Sequence, residues 1–161
     1  MKLIAATAAA FIAVILTGNA TSAFAADPAG QPAAKPAVVA SAPLTLKVSF
    51  TGIEIPTGAV MLSLFASEAD FDVGKPTASL MSPVKGTGAE AMFRGLTPGR
   101  YAIKAFHDVD GDGNMGTTPF GMPTEPFAFS NNAIGDAGPA KWVAASFDVG
   151  AAGSVHTINI R

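Results

Sequence analysis

Short segments in which apolar and polar residues alternate place the strongest constraint on the fold of this chain. In residues 44–50, every second residue is Leu, Val or Phe, whereas the residues between them are Thr, Lys and Ser, as in a strand with one buried face. Seven such segments are predicted, near residues 44–50, 60–65, 78–84, 90–94, 101–106, 144–149 and 155–160. Seven short strands without a long helix predict an all-β fold, namely an antiparallel sandwich of the immunoglobulin or transthyretin type.

The N-terminal 42 residues differ in composition from the strand-rich part. Lys2 precedes an apolar run over residues 3–16, and Ala23-Phe24-Ala25 follows, which predicts a secretory signal peptide over residues 1–25. Residues 26–42 are rich in Ala and Pro and lack aromatic residues, which predicts a disordered spacer. The β-sandwich domain is then expected over residues 43–161, on a periplasmic or secreted protein.

Composition excludes several classes of protein. Loss of Lys2 with the signal peptide leaves nine Lys and Arg against twelve Asp and Glu, so the mature chain lacks the basic surface that nucleic acid requires. The chain has no cysteine, which excludes disulfides, thiolate metal sites and a catalytic thiol. No second apolar run of membrane-spanning length follows the signal peptide, so we expect no transmembrane segment in the mature chain.

Residues 96–101 carry a turn followed by a tyrosine. Pro98 and Gly99 suit the two central positions of a type II turn, in which Gly99 would take a positive φ. Tyr101 then begins a strand, as in the tyrosine corner of Greek-key sandwiches, where the phenol hydrogen-bonds a neighbouring connection. We therefore expect Tyr101 to be architectural.

One long segment, residues 107–132, concentrates the negative charge of the chain. Together with Asp136 it holds five of the twelve acidic residues, and no Lys or Arg lies between Lys104 and Lys141. Long irregular connections in compact domains are more often functional than idle. We therefore predict one long functional loop here.

The beginning of this loop has half of a calcium-binding pattern. Asp108, Asp110 and Asp112 have the spacing of the first three ligands, Gly113 stands at the sharp turn, and Asn114 offers a backbone carbonyl. Gly116 and Pro119 lack the side-chain oxygens that would complete the pattern, but Glu125 follows within reach. Oxygen ligands favour calcium, and the predicted metal site comprises Asp108, Asp110, Asp112, Asn114 and Glu125.

Two other interpretations of these residues stay open. Asp, Gly and Asn also populate ordinary turns, because their side chains cap local backbone groups and tolerate left-handed conformations. Glu125 is equally suited to accept hydrogen bonds from backbone amides of the loop.

A catalytic interpretation would use His107 beside Asp108. Neighbouring residues on a strand point to opposite faces, so these two side chains cannot readily form a catalytic pair. Ser130 lacks the glycines of a nucleophile elbow. We therefore expect no enzyme, and His107 is expected to hydrogen-bond the loop that it introduces.

The end of the loop carries two further features. Ser130, Asn131 and Asn132 are expected to cap backbone groups. An aromatic cluster is expected to anchor the loop as a small second core, with a sugar or peptide platform on its tryptophan as the alternative; the cluster comprises Phe120, Phe127, Phe129 and Trp142.

Linked motifs across this part of the chain resemble one bacterial family. They are the turn and strand at residues 96–102, the loop at 107–113, the segment FGMPTEPFAFSNN at 120–132, and Trp142 with the strand at 145–147. Over essentially the whole folded domain the chain resembles DUF2141, a family of exported bacterial proteins of unknown function. The resemblance implies a small sandwich on an exported protein. The chain departs from the family pattern at Gly116, where a carboxylate is usual, and at Pro126, where glycine is usual.

Together, these patterns predict an exported, non-enzymatic β-sandwich module that binds an envelope ligand or protein of unknown identity and is stabilised by calcium. The alternatives are a metal-dependent hydrolase that uses His107, Asp108, Asp110 and Glu125, and a purely structural envelope component.

Overall fold

The structure, a computed structural model, describes residues 43–150 and 152–161. The predicted signal peptide and spacer therefore lie outside the described residues. The elements are, in chain order, β1 (Leu44–Thr51), β2 (Ala59–Phe65), α1 (Glu68–Val73), β3 (Ala78–Pro83), β4 (Ala89–Leu96), β5 (Gly99–Asp108), β6 (Phe127–Phe129), a 3₁₀ turn (Ser130–Asn132), α2 (Trp142–Ala145), β7 (Phe147–Val149) and β8 (Ser154–Asn159). The all-β prediction is confirmed.

These strands form two sheets. The first has the order β4-β1-β8, and the second has the order β3-β2-β5-β6, with β7 paired to the beginning of β5. Two details differ from the sequence prediction, because eight strands are present in the described residues and β8 runs parallel to β1. The additional strand, β6, has only three residues, too few for an alternating pattern to be recognised.

The main core lies between the two sheets. In β1, Leu46, Val48 and Phe50 point into it, and in β2 Val60 and Leu62 do so, each at most 2% exposed. The alternating residues Met61 and Ser63 lie on the outer face of the second sheet and are half-buried. The outer face of β2 and β5 is therefore only partly covered.

A second, smaller core covers part of that outer face. Ser67 caps α1 by accepting a hydrogen bond from the amide of Asp70, and the helix places Phe71 edge-on to Phe65 (centroids 5.3 Å apart) and to Trp142 (5.8 Å). Phe129 belongs to the same core. The predicted aromatic anchor is therefore correct for Phe129 and Trp142 and wrong for Phe120, which is 89% exposed.

The connections between strands confirm one turn prediction and correct another. The hydroxyl of Tyr101 donates to the carbonyl of Thr97 at 2.9 Å, which is the expected tyrosine-corner bond. The positive φ lies at Gly95 (75°), whereas Gly99 is the first residue of β5, so the predicted type II turn is wrong. Within residues 43–150 and 152–161, no helix has the length and apolar character needed to cross a membrane.

Candidate functional site

The candidate site lies where β5 ends and the acidic loop, residues 109–126, begins. Asp108 is the last residue of β5 and pairs with Ala59 at the start of β2. The adjacent Gly58 has φ +75°, and a Cβ there would lie 2.1 Å from the Asp108 carbonyl oxygen. Only glycine permits this close approach, so the start of β2 fixes where the loop leaves the sheet.

His107 is held on the other side of this strand end. Its side chain is 1% exposed, and Nε2 lies 2.7 Å from the carbonyl oxygen of Thr57. Because a carbonyl can only accept, Nε2 is the donor. The His107 side chain therefore bonds the β1–β2 connection, whereas the sequence analysis expected it to bond its own loop.

The carboxylate of Asp108 organises the first turn of the loop. It is 3% exposed and accepts hydrogen bonds from the amides of Gly111 (2.8 Å) and Gly113 (3.0 Å). Asp112 accepts from the amide of Asn114 at 2.7 Å. These are the contacts expected if the Asp, Gly and Asn residues form an ordinary turn in which side chains cap backbone groups.

Glu125 joins the beginning of the loop to its return. Oε1 accepts from the amide of Val109 and Oε2 from the amide of Gly116, both at 2.9 Å. Gly116 packs tightly here, since a Cβ would lie 2.6 Å from Thr124 Oγ1. Glu125 is half-buried. It accepts hydrogen bonds from backbone amides of the loop, as one of the two interpretations of this residue predicted.

Three of the four predicted carboxylate ligands come together. One carboxylate oxygen from each of Asp108, Asp110 and Glu125 lies within 4.8 Å of the other two. A calcium ion with bonds of roughly 2.4 Å can bridge oxygens up to about 4.8 Å apart. Asp112 lies outside this group, and its carbonyl accepts from the side-chain amide of Asn114 at 3.0 Å.

The acidic loop borders a cavity of about 850 Å³ on the outer face of the second sheet. Its floor is formed by outward residues of β2, β5 and β6, among them Met61, Phe106 and Phe127. Met115 and Met122 of the acidic loop form one wall. The cavity was not predicted from the sequence. The apolar residues on the outer face of β2 and the aromatic residues on the outer face of β6 could have indicated it.

Lys104 lies in the middle of β5 and also lines this cavity. Its ammonium group donates to the carbonyl of Phe71, the residue in α1 that reaches the outer face. Nζ lies 4.1 Å from the ring centroid of Phe71 and 5.2 Å from that of Phe65. The aromatic core thus holds the ammonium group in place through cation–π contacts.

Comparison with known proteins agrees with the resemblance drawn from the sequence motifs. Residues 48–158 match the family described as an uncharacterised protein conserved in bacteria, DUF2141. The chain belongs to the DUF2141 family. The matched region runs from the middle of β1 into β8 and includes the acidic loop, the cavity floor and the Ser-Asn-Asn turn. No curated protein and no solved structure matches the chain.

The Ser-Asn-Asn turn of this DUF2141 domain ties the end of the loop to both sheets. Ser130 is fully buried, accepts from the amide of Ile103 at 2.8 Å and donates to the carbonyl of Ala145 at 2.6 Å. Asn132 Oδ1 accepts from the amide of Asn159, the last residue of β8, at 2.7 Å. The expectation that these residues bond backbone groups is confirmed.

Asn131, the central residue of that turn, contacts a histidine of β8. Its backbone amide donates to His156 Nε2 at 2.9 Å, and the imidazole stacks on Phe147 with centroids 4.1 Å apart. Asn131 has φ 59°, a left-handed conformation that asparagine tolerates better than most residues. The turn therefore depends on a residue at position 131 that tolerates a positive φ. It also depends on a neutral His156, whose Nε2 can then accept the hydrogen bond.

Proposed function

We propose that this DUF2141 domain is a non-enzymatic binding module, exported to the cell envelope, that holds an apolar ligand in the cavity beside the acidic loop. The observation that carries the proposal is the cavity itself. Its volume of about 850 Å³ falls within the range of roughly 300–1,000 Å³ that is usual for small-molecule sites. The signal-peptide pattern of residues 1–25 supports export.

The walls of the cavity suit ligand binding better than they suit a closed core. Phe127 is 38% exposed and Met122 is 60% exposed, although both are large and apolar. Methionine side chains adapt their shape to varied apolar partners. A ligand in the cavity would remove this apolar surface from water, which is favourable by about 25 cal/mol per Å².

Calcium at Asp108, Asp110 and Glu125 is part of the same proposal. The loop that carries these carboxylates also supplies Met115 and Met122 to the cavity wall. Without a cation the three carboxylates repel one another, by on the order of 1 kcal/mol per pair in a solvated setting. A bound ion would therefore hold the wall in one arrangement.

The contacts of His107 and Ser130 support a non-enzymatic role. His107 Nε2 is engaged by the Thr57 carbonyl, and the Ser130 hydroxyl is buried between two backbone groups. The proposal retains a sandwich of the immunoglobulin or transthyretin type, which the two packed sheets and the Tyr101 bond to Thr97 support.

A neutral fluorescent probe tests whether the cavity binds ligands. N-phenylnaphthylamine should bind the mature protein with a saturable rise in fluorescence, and Ser63→Trp should abolish that rise because Ser63 lines the cavity. Ser79→Trp is the matched control. Ser79 pairs with Ser63 in the sheet, shares its hydrogen bond at 3.1 Å and lies outside the cavity lining.

Two outcomes would contradict the binding function. The absence of saturable probe binding by the wild-type protein would favour the purely structural alternative. Undiminished probe binding by Ser63→Trp would show that the probe binds outside the cavity.

The hydrolase alternative makes an opposite prediction at His107. A catalytic His107 could be replaced by alanine with loss of activity and retention of the fold. Because His107 is buried and bonded to Thr57, we expect His107→Ala to lower the unfolding free energy instead, by about 2 kcal/mol or more. A fully stable His107→Ala variant would favour the hydrolase.

A further inference from the structure

Lys104 sets the charge of the cavity. Among the described residues that line it, Lys104 carries the one charged side chain, and Ser63 is the only other residue with a polar side chain. The cavity therefore offers one positively charged group in otherwise apolar surroundings. An uncharged ligand would make no ion pair with it.

The contacts of Lys104 leave hydrogen-bonding capacity for a ligand. An ammonium group has three N–H donors, and one of them is taken by the carbonyl of Phe71. Within residues 43–150 and 152–161, Lys104 makes no salt bridge, since the ion pairs present are Lys47–Glu90 and Arg100–Asp148. Burial lowers the pKa of Lys104, while Asp72 acts in the opposite direction. An anion at this ammonium group would compensate for the water it has lost.

The position of Lys104 on β5 also determines how such an anion would lie. Lys104, Phe106 and Asp108 are alternate residues of β5, so their side chains lie on one face of the strand. Asp108 lies four residues after Lys104 along the strand, a distance of roughly 13 Å. The acidic cluster at Asp108 repels a negative group, whereas Lys104 attracts it. Phe106, between them, offers an apolar surface to the rest of the molecule.

We propose that the cavity binds an amphipathic monocarboxylate, with the carboxylate on Lys104 and the apolar chain directed along Phe106 toward the methionines of the acidic loop. This inference rests on the proposed binding function and specifies its ligand class. A medium-chain or long-chain fatty acid has this chemistry. A bulky polar molecule, such as a sugar, does not fit walls that carry so few polar groups.

The first experiment compares ligands that differ only in the head group. Dodecanoate and dodecanol are titrated below their aggregation concentrations into the mature protein, with displacement of N-phenylnaphthylamine as the signal. Dodecanoate should displace the probe at a concentration about tenfold lower than dodecanol does, because a charge-assisted hydrogen bond to Lys104 is available only to the carboxylate. Equal displacement by both ligands would overturn the proposal.

The second experiment changes the lysine. Lys104→Met keeps an unbranched side chain over Phe71 but removes the charge, and it should weaken dodecanoate binding by about tenfold while leaving dodecanol unchanged. Lys104→Arg should retain most of the preference for dodecanoate. Lys75→Met is the matched control, because Lys75 is exposed and lies outside the cavity lining. An equal effect of Lys75→Met would show that net charge, and not Lys104, attracts the ligand.

The possible results distinguish failure of the proposed ligand class from failure of the proposed binding function. If the wild-type protein binds neither N-phenylnaphthylamine nor dodecanol, the binding function fails, and the ligand class fails with it. If both neutral molecules bind but dodecanoate has no advantage, only the role of Lys104 fails. If Lys104→Met does not fold, the preference of the wild-type protein for dodecanoate over dodecanol still decides the question.

Discussion

The Glu125 carboxylate accepts a hydrogen bond from the backbone amide of Val109, 16 residues earlier in the chain, at 2.9 Å. Its second oxygen accepts from the amide of Gly116. One side chain therefore holds together the beginning and the return of the acidic loop, and the same loop carries a wall of the cavity.

Replacement of Glu125 should loosen this loop. In Glu125→Gln the new amide nitrogen would face a backbone N–H, so one of the two bonds would be lost. We expect the free energy of unfolding to fall by roughly 1–2 kcal/mol and proteolysis within residues 109–126 to become faster. Asp136→Asn removes the same charge from an exposed side chain, and it should have neither effect. Matching results for the two variants would mean that charge, rather than the two hydrogen bonds, holds the loop.

Calcium should act through Asp110 and not through Asp112. An ion present at about 100 times its Kd would stabilise the wild-type protein by about 2.7 kcal/mol, and a chelator should reverse the rise in melting temperature. Asp110→Asn should remove this response, whereas Asp112→Asn should keep it, because Asp112 lies outside the carboxylate group. A chelator that leaves both the melting temperature and the protease resistance of the loop unchanged would rule out the ion.

Ser130→Ala should be among the more damaging small substitutions in the domain. It removes the partner of the Ile103 amide and of the Ala145 carbonyl at a fully buried residue. We expect a loss of about 2–3 kcal/mol in urea unfolding, because an unsatisfied buried backbone group is costly. Ser79→Ala, which removes an exposed hydroxyl, should stay within about 0.5 kcal/mol of the wild type. A Ser130→Ala loss as small as that would show that water replaces the serine.

Acid should weaken the Ser-Asn-Asn turn through His156. Burial lowers the pKa of His156, so the folded state binds a proton less tightly than the unfolded chain does. Protonation would also remove the acceptor for the Asn131 amide. The stabilisation is fully present above the unfolded pKa of about 6.5 and is lost as the pH falls through the lower folded pKa.

The measurement compares urea unfolding of the wild type and of His156→Gln between about pH 8 and about pH 5. Glutamine can still accept from Asn131 but does not titrate. The wild type should therefore lose more stability than the variant over this range. Parallel pH profiles would assign the acid sensitivity to groups other than His156.

The local features of the chain were predictable because they depend on neighbouring residues. Alternation along residues 44–50 and 60–65 reports which side chains face a core, and the structure confirms both strands. The tyrosine corner at Tyr101 depends on a carbonyl only four residues away. Family membership likewise followed from linked motifs in the sequence.

The partners of these features were decided by the tertiary structure. Periodicity gives the face of a strand but not its neighbour, so the parallel pairing of β8 with β1 could not be predicted. The same applies to His107, whose acceptor Thr57 is 50 residues away, and to the proximity of the Asp108, Asp110 and Glu125 carboxylates. The sequence by itself thus determined the strands other than β6, the acidic loop and the family. Only the tertiary structure brought Lys104, the outer face of the second sheet and that loop around one cavity, because such contacts depend on how distant segments pack.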